Sequence, residues 1–598
     1  MRFLRALCLF TITALAVSVF AETTDVIASD AKTEKLAKQL AKKAEKQKLK
    51  DDAKKAADGK AADAAKAAEA AKAADAKAAA VAEAAKAKAR ATAEATKQAA
   101  QGQNVAQLSK MIDSHIQAKL QAEKVDPSDR CTDEEFLRRV SLDIAGVIPS
   151  ADKAKTFLDD RSPNKRAQLI DELLDSSHYG RKQADIWQAK LFPRDSNNRF
   201  VLREPLEKWL KEQFNTNTPW NTMVHTMVAG NGTVEKNPAV TYIMANRTID
   251  KLTDTTTQHF LGVRLACAQC HNHPFTTTKQ AEYWGMAAFY ANVQIDNPKN
   301  ANKGGDNTQI GVQDAKVASK RKDFFPESAL KVNAKFLGAE EPKNIAGTNL
   351  RATLANWMTS ADNPFFAKAM VNRTWAQLFG NGIVDPVDDL IEKNKPTHPE
   401  LFNELAAHFS KTGFDVKYLI RGICNSQTYQ RSAKPTSNNK DDAELFSHMN
   451  VKVMSPEQLF DSLSEATGFG KNEVAAKGKA AGAAKGQPVG PRNRFVSFFL
   501  AGAEESNAAE YEAGIPQALQ LMNSKIIGNP ASVRSFMTAG SKPADVIEKI
   551  YLGALSRRPT ADEAKRLATY VSQAATPAEG YSDVLWAVLN SSEFTLIR

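Results

Sequence analysis

The most specific chemical signal in the chain is a short run of cysteine and histidine. Cys267 and Cys270 are separated by two residues, and His271 follows at once. This C-x-x-C-H spacing is the attachment pattern of c-type haem. Two thiols at that spacing reach the two vinyl-derived carbons of one porphyrin, and the adjacent imidazole can become the proximal iron ligand. The motif therefore predicts a haem c held by Cys267, Cys270 and His271.

The same stretch allows two other interpretations. Cys267, Cys270, His271 and His273 supply four soft or borderline ligands that suit zinc. Four ligands this close in sequence rarely all face one tetrahedral centre, which weakens that interpretation. The two cysteines could instead form a redox-active or structural disulfide, with the histidines merely nearby. The sequence leaves all three alternatives open.

A sixth ligand for a haem iron is not evident. His273, Met286 and His259 are near the motif in sequence, and His225 and Met370 are more distant. Residues of these types are more often part of a core or a surface than axial ligands. A five-coordinate iron would need no such partner and would permit small-molecule chemistry instead of simple electron transfer.

A second group of chemical candidates is acidic. Asp385, Asp388 and Asp389 are close together beside a proline, and paired carboxylates can serve as general acid and base. Such a cluster more often caps a helix or pairs with a nearby arginine. Arg373 and Trp375 lie on a predicted helical stretch. We interpret the arginine as part of a salt bridge and the tryptophan as an ordinary core residue.

The N-terminus predicts export. Residues 1–21 read as a secretory signal, with Arg2 and Arg5 before an apolar stretch from Ala6 to Phe20, and with small residues at the cleavage site. A retained anchor is the alternative, although the stretch is short for a membrane span. We expect a periplasmic or cell-envelope protein with no transmembrane span after cleavage. Its mature cysteines would be Cys131, Cys267, Cys270 and Cys424, the first and last of which could form a disulfide.

Most of the net charge lies in one biased segment. The chain has 598 residues and a formal charge of +11, but residues 31–100 alone carry 18 Lys and Arg against 10 Asp and Glu, together with 31 Ala. Residues 22–103 are therefore predicted to be an Ala/Lys-rich arm, either helical or disordered. The arm could be a simple linker or could grip an anionic envelope polymer. The remaining chain has little excess charge, and we expect no nucleic-acid partner.

The elements that must position the motif are helices. Apolar residues at Leu108, Ile112, Ile116 and Leu120 predict an amphipathic helix. Helix-start signals recur at four places. They are Thr132 with Glu135, Ser162-Pro163, Ser455-Pro456 with Gln458, and Thr560 with Glu563. Alternating strand patterns are scarce, so the predicted fold class is mainly α.

Breaks in the helical pattern divide the body into two helical domains. The first covers residues 104–296 and contains the C-x-x-C-H motif, and the second covers residues 346–598. Residues 297–345 are predicted to be a linker because they contain Gly304-Gly305 and few apolar side chains. Residues 471–493, rich in Ala, Gly, Lys and Pro, are predicted to be an exposed insertion in the second domain.

Several longer motifs resemble a known pair of domains. Two segments of the first domain are similar to a planctomycete cytochrome-associated domain of unknown function; they are Arg138–Pro149 and Phe260–Phe275. Segments of the second domain look like the planctomycete-specific domain that usually follows it; they are Asn363–Trp375, Gly382–Asp389, Gly413–Ile420, Gln517–Asn523 and Leu555–Thr560. The resemblance covers nearly everything from residue 108 to residue 598.

The resemblance implies a large exported protein of obscure activity. Many relatives are fused or adjacent to cytochrome c domains, so a cytochrome c domain protein is an expected redox partner. The leading hypothesis is a haem-c-binding envelope protein with an electron-transfer or redox role. The alternative is a non-haem envelope protein, either a zinc-supported polysaccharide hydrolase or a structural or binding component. Whether the protein is an enzyme stays open.

Overall fold

The computed structural model of the chain describes residues 104–192, 203–272, 277–295, 310–314, 332–343, 349–469, 490–500, 530–537 and 540–598, with a few single positions between 519 and 527. The predicted signal, the predicted arm, His273 and most of the predicted insertion lie outside the described residues. Within them the chain is mainly helical, as the sequence predicts.

The described part of the first domain is built of helices and three short strands. Helix α1 covers residues 104–123. The helices that follow are α2 (Asp133–Val140), a π-helical turn (Ser141–Ala145), α3 (Ala151–Asp159), α4 (Lys165–Asp175), α5 (Ser177–Leu191), α6 (Arg203–Asn215), α7 (Trp220–Ala229), α8 (Thr241–Ala245), α9 (Ile249–Leu261) and α10 (Gln280–Ala288). The strands are β1 (Gly232–Thr233), β2 (Val293–Ile295) and β3 (Gly311–Asp314).

The second domain is also built mainly of helices. Its helices are α11 (Leu350–Met358), α12 (Phe366–Phe379), α13 (Pro399–Lys411), α14 (Val416–Asn425), α15 (Pro456–Thr467), α16 (Pro491–Leu500), α17 (Pro543–Leu555), α18 (Ala561–Gln573), α19 (Pro577–Leu589) and α20 (Ser592–Thr595). Two short strands, β4 (Lys452–Val453) and β5 (Leu596–Ile597), pair antiparallel near its end. Helix α16 includes the last three residues of the predicted insertion.

The segment predicted as a linker takes part in the fold. Strand β3 lies between β1 and β2 and pairs antiparallel with both, so that Val312 is opposite Gly232 on one side and Ile295 on the other. Asp314 at its end accepts hydrogen bonds from Arg351 on α11 at 2.7 and 2.8 Å. This part of the predicted linker therefore ties the first domain to the second.

The predicted helix starts are confirmed at some positions and wrong at others. Ser455 and Thr560 form complete capping boxes with Gln458 and Glu563. Thr132 accepts from the backbone N–H of Glu135 as expected. The start at Ser162-Pro163 is wrong, because Asp160 Oδ1 accepts from both the backbone N–H and the hydroxyl of Ser162 and holds a turn there. Helix α4 begins two residues later, at Lys165.

Packing joins the two domains into one compact unit, Ala100–Arg598. All four apolar residues of the α1 stripe are fully buried. They belong to a large core with side chains from both domains, including Trp187 and Trp220 of the first and Trp375 of the second. A smaller core contains the apolar side chains of α15 and α17–α20 together with Leu142 and Ile148. Residues up to Met449 supply nearly all of the large core, and residues from Met454 onward supply most of the smaller core. Each core also contains side chains from the other part of the sequence, namely Leu552 in the large core and Leu142 and Ile148 in the smaller one.

Candidate functional site

The approach to the motif is fixed by the end of α9. Gly262 ends this helix with a φ of +69°, a left-handed conformation that favours glycine. A Cβ at this position would lie 2.9 Å from Leu390 Cδ1, so the position also requires the absence of a side chain. The backbone N–H of Leu390 donates to the carbonyl of Gly262 at 2.7 Å. Leu390, in the loop of the second domain between α12 and α13, thus holds the backbone at the point where it leaves α9 and continues to the motif.

The motif itself forms a short 3₁₀ turn at the surface. The turn covers Ala266–Gln269, and its central residue, Ala268, is fully buried. The thiols of Cys267 and Cys270 are both on exposed residues. Because the buried Ala268 anchors the turn between them, the two cysteines are presented to solvent on a fixed piece of backbone.

Helix α10 holds the far end of the turn. The indole N–H of Trp284 and the side-chain amide of Gln280 both donate to the carbonyl of Gln269, at 3.2 and 3.1 Å. The same amide donates to the carbonyl of Cys270 at 3.0 Å. The backbone N–H of Gln280 donates to Asn272 Oδ1 at 2.9 Å. These four hydrogen bonds fix the backbone on both sides of Cys270 and His271.

The imidazole of His271 is exposed and is held in one tautomer. Its Nδ1 lies 2.7 Å from the carbonyl oxygen of Asn272. Since a carbonyl only accepts, Nδ1 carries the proton in this contact, and Nε2 of the neutral ring keeps its lone pair. A backbone carbonyl on the other ring nitrogen is the arrangement that orients metal-ligating histidines in general. The exposed face of His271 therefore offers Nε2 as a ligand.

The state of the thiols bears on the two alternatives to haem. Cys131, Cys267, Cys270 and Cys424 are all free, so the structure contains neither of the disulfides considered from the sequence. In the part of the chain that the structure describes, no three histidine, cysteine or acidic side chains converge as a metal site would require. His273, the fourth candidate zinc ligand, lies outside that part.

The residue types of the motif meet the chemical requirements of a covalent haem. A zinc ion needs its ligand atoms to meet at one point about 2.0–2.3 Å away. A haem needs the two sulfurs at separate carbons on the ring periphery and only the imidazole at the iron. Cys267, Cys270 and His271 supply the two free thiols and the available Nε2 that the second requirement names.

Two buried polar groups near the motif were not recognised from the sequence. Asp254 on α9 and Tyr283 on α10 each have a buried oxygen, and the two side chains interact with each other. Burial, with Asp250 one turn away, raises the pKa of Asp254 to about 6. Burial also raises the pKa of Tyr283, and the charges of Asp254, Asp250 and Cys270 add to this rise. Their signal in the sequence is weak, because a single aspartate and a single tyrosine on two helices have no characteristic spacing.

A buried ionic cluster lies where the two domains meet. Arg373 on α12 pairs with Asp388 and donates to the carbonyl of His259 on α9 at 2.7 Å. Its guanidinium also lies 4.8 Å from the ring centre of Trp187. Burial alone would raise the pKa of Asp388, but Arg373, His259 and Lys190 hold it well below its usual range. The expected pairing of this aspartate with an arginine is therefore confirmed.

The three candidate carboxylates do not form an acid–base pair. Asp388 is ionised and bound to Arg373, and Asp385 is exposed. Asp389 accepts a hydrogen bond from Asn394 at 2.9 Å. A general acid would need a raised pKa and a partner across a cleft. Asp388 is committed to its ion pair with Arg373, so it is not available as the acid or the base of such a pair.

Four of the five candidate sixth ligands lie among the described residues. Met286 and Met370 are buried in the core. His259 Nδ1 lies 3.4 Å from Asp388 Oδ2, and burial lowers the pKa of His259 to about 4. His225 Nε2 lies 2.9 Å from Asn356 Oδ1. The described histidine candidates thus have side-chain partners other than the motif, the two methionines are core residues, and His273 is outside the described residues.

Comparison with known proteins agrees with the resemblance seen in the motifs. Residues 111–295 match the family PSCyt2, described as a protein of unknown function (DUF1549). Residues 350–571 match the family PSD1, also described as a protein of unknown function (DUF1553). The chain belongs to the proteins that carry these two domains in this order. Neither a curated protein nor a solved structure matches it.

In the described residues, no helix combines the length and the apolar character that crossing a bilayer requires.

Proposed function

We propose that this protein is an exported cell-envelope protein that carries a c-type haem on Cys267, Cys270 and His271 and serves in electron transfer or related redox chemistry. The observation that carries the proposal is the state of the motif. Both thiols are free and exposed, and the hydrogen bond from Nδ1 to Asn272 leaves Nε2 of His271 available.

The chain's own residues would hold the group as follows. The sulfurs of Cys267 and Cys270 would form the two thioether links, and His271 Nε2 would be the proximal ligand. Gln280 and Trp284 would keep the turn from moving, because their hydrogen bonds fix the carbonyls of Gln269 and Cys270. The bound haem would supply one-electron chemistry at its iron.

The predicted secretory signal supports the same proposal, because haem c is attached to exported proteins. The partner would be a one-electron carrier such as a protein with a cytochrome c domain. The basic arm, residues 22–103, would tether the body to an anionic envelope polymer. The redox partner is inferred from the family, and the envelope polymer is inferred from the composition of the arm.

The test is the intact mass of protein secreted by a host that matures c-type cytochromes. Wild type should carry one haem covalently, and a Cys267→Ala, Cys270→Ala double variant should carry none. His271→Ala should keep the covalent haem but change the iron coordination seen by absorbance. A matched His225→Ala control, which alters a histidine hydrogen-bonded to Asn356, should behave as wild type.

The alternative gives a different result. Wild type without covalent haem, but with one zinc per chain that Cys267→Ala removes, would replace the haem by a zinc site. The zinc-supported hydrolase and the structural component would then be the functions to test. Protein with neither haem nor metal, from a host that loads a control cytochrome, would refute the proposal.

A further inference from the structure

Three cationic side chains from separate elements lie close together beside the motif. Lys190 is at the end of α5, Arg373 is on α12, and Arg264 lies between the end of α9 and the C-x-x-C-H turn. Lys190 and Arg373 both contact Asp388, and Arg264 lies two residues after Gly262, whose carbonyl accepts from the backbone N–H of Leu390, two residues after Asp388. The carboxylate that faces this group is Asp388.

The carboxylate is already occupied. Asp388 Oδ1 accepts from Arg373, and Oδ2 lies 3.4 Å from His259 Nδ1. The ammonium of Lys190 forms an ion pair with the same Oδ2 at 3.8 Å, so one carboxylate serves both Arg373 and Lys190. Three positive charges against one negative charge leave an excess that a further anion would neutralise.

The excess charge is accessible. The side chain of Lys190 is 19% exposed, and Arg264 is exposed. Arg264 is also only three residues before Cys267, so an anion held there would lie next to the surface that presents the motif. The aliphatic part of the Lys190 side chain is mostly buried, and it places the ammonium group at the surface of the core.

We propose that Lys190 and Arg264, with Arg373 behind them, form a binding site for a carboxylate group. Two sources of that group are possible: a propionate of the haem, which rests on the proposed function above, and a free small carboxylate, which does not. In both cases the ligand is an oxyanion that accepts charge-assisted hydrogen bonds from an ammonium and a guanidinium.

The titration of Lys190 agrees with this geometry. Burial, followed by the charges of Arg373 and Arg264, lowers its pKa to about 8, and Asp388 only partly opposes the change. A bound carboxylate would raise this pKa again, because an opposite charge favours the protonated amine.

The test uses haem-free mature protein and isotope-labelled acetate at constant ionic strength, followed by chemical-shift titration. Saturable binding is expected in wild type and should weaken by about tenfold or more in Lys190→Met and in Arg264→Gln. Lys251→Met, which alters an exposed lysine on α9, is the matched control and should bind as wild type. Arg264 is exposed, so its variant keeps the test valid if Lys190→Met fails to fold.

The outcome in the haem-loaded protein identifies the source of the carboxylate. Loss of acetate binding on loading supports a propionate in the site, and unchanged binding supports a free small carboxylate. Absence of saturable binding in haem-free wild type, or equal affinity in Lys190→Met, Arg264→Gln and the control, would overturn the proposal. The titrations of haem-free protein do not depend on whether haem attaches, so their failure is distinct from a failure of the proposed function.

Discussion

Replacing Arg373 with methionine should strongly destabilise the protein. The guanidinium is almost completely buried, with its side chain 3% exposed, and Asp388 opposite is 8% exposed. Methionine would fill most of the volume but would leave a carboxylate in the core without its main partner. It would also remove the hydrogen bond to the carbonyl of His259 and the contact with the ring of Trp187.

The magnitude follows from the burial of the pair. Removing one partner of a buried ion pair costs about 3–5 kcal/mol, because the other charge stays in a medium of low polarity. His259 and Lys190 face Asp388 at 3.4 and 3.8 Å, and they would compensate part of this loss. We therefore expect the lower part of the range, about 3 kcal/mol.

The assay is urea unfolding of the mature chain at pH 7, followed by circular dichroism. Arg373→Met should clearly lower the urea concentration at the midpoint of unfolding. Adding Asp388→Asn in the same chain should recover part of the lost stability, because the unpaired charge is then gone. The exposed Arg264→Gln is the control and should change stability by less than about 0.5 kcal/mol. If Arg373→Met were no more destabilising than this control, the ionic cluster would not hold the two domains together.

Three further predictions concern other parts of the fold. Burial lowers the pKa of His398 to about 4, so its contribution to stability is complete above pH 6.5 and is lost as the pH falls towards 4. Between these pH values wild type should lose about 3 kcal/mol more than His398→Gln, as melting curves at a series of pH values would show. Gly262→Ala should lower the free energy of unfolding by about 2 kcal/mol or more, because the new Cβ adds steric overlap to backbone strain. Gly468→Ala has a similar φ but open space around it, so it should lower this free energy by only about 1 kcal/mol. Equal losses in denaturant titrations would refute the close approach at Gly262. In haem-free protein the two motif thiols should react with iodoacetamide far faster than Cys131 and Cys424, because burial raises the pKa of both core thiols; uniform labelling by mass spectrometry would contradict the structure.

Local signals in the sequence predicted much of the helical framework. The stripe from Leu108 to Leu120 predicted α1 and its buried face, because a repeat of four residues specifies one side of a helix. Thr560 predicted the start of α18, since a capping box involves only neighbours in sequence. The predicted helix start at Ser162 is wrong because of another local interaction. The side chain of Asp160 accepts the backbone N–H of Ser162, and the residues after Ser162 form a turn before α4 begins.

The environment of the motif could be predicted only in part. The cysteines and His271 are contiguous, so their spacing was visible, and their exposure agrees with an attachment site. The cationic site beside them was not visible. Lys190, Arg264 and Arg373 lie on three elements that are far apart in sequence, and only the packing of the two domains brings them to Asp388.

The short sheet was also missed. Strands β1, β2 and β3 have two to four residues each, which is too few for an alternating pattern to be recognised. Strand β3 lies in a segment whose composition indicated a linker. Its pairing depends on long-range contacts with both neighbours and on the ion pair between Asp314 and Arg351.

The most direct test of the central claim is an absorbance spectrum of the protein exported from a host with c-type haem maturation, recorded before and after dithionite and again in alkaline pyridine. Attachment at Cys267 and Cys270 predicts a sharp α-band in the reduced protein that stays with the denatured chain. A colourless protein, from a host that loads a control cytochrome under the same conditions, would contradict the claim.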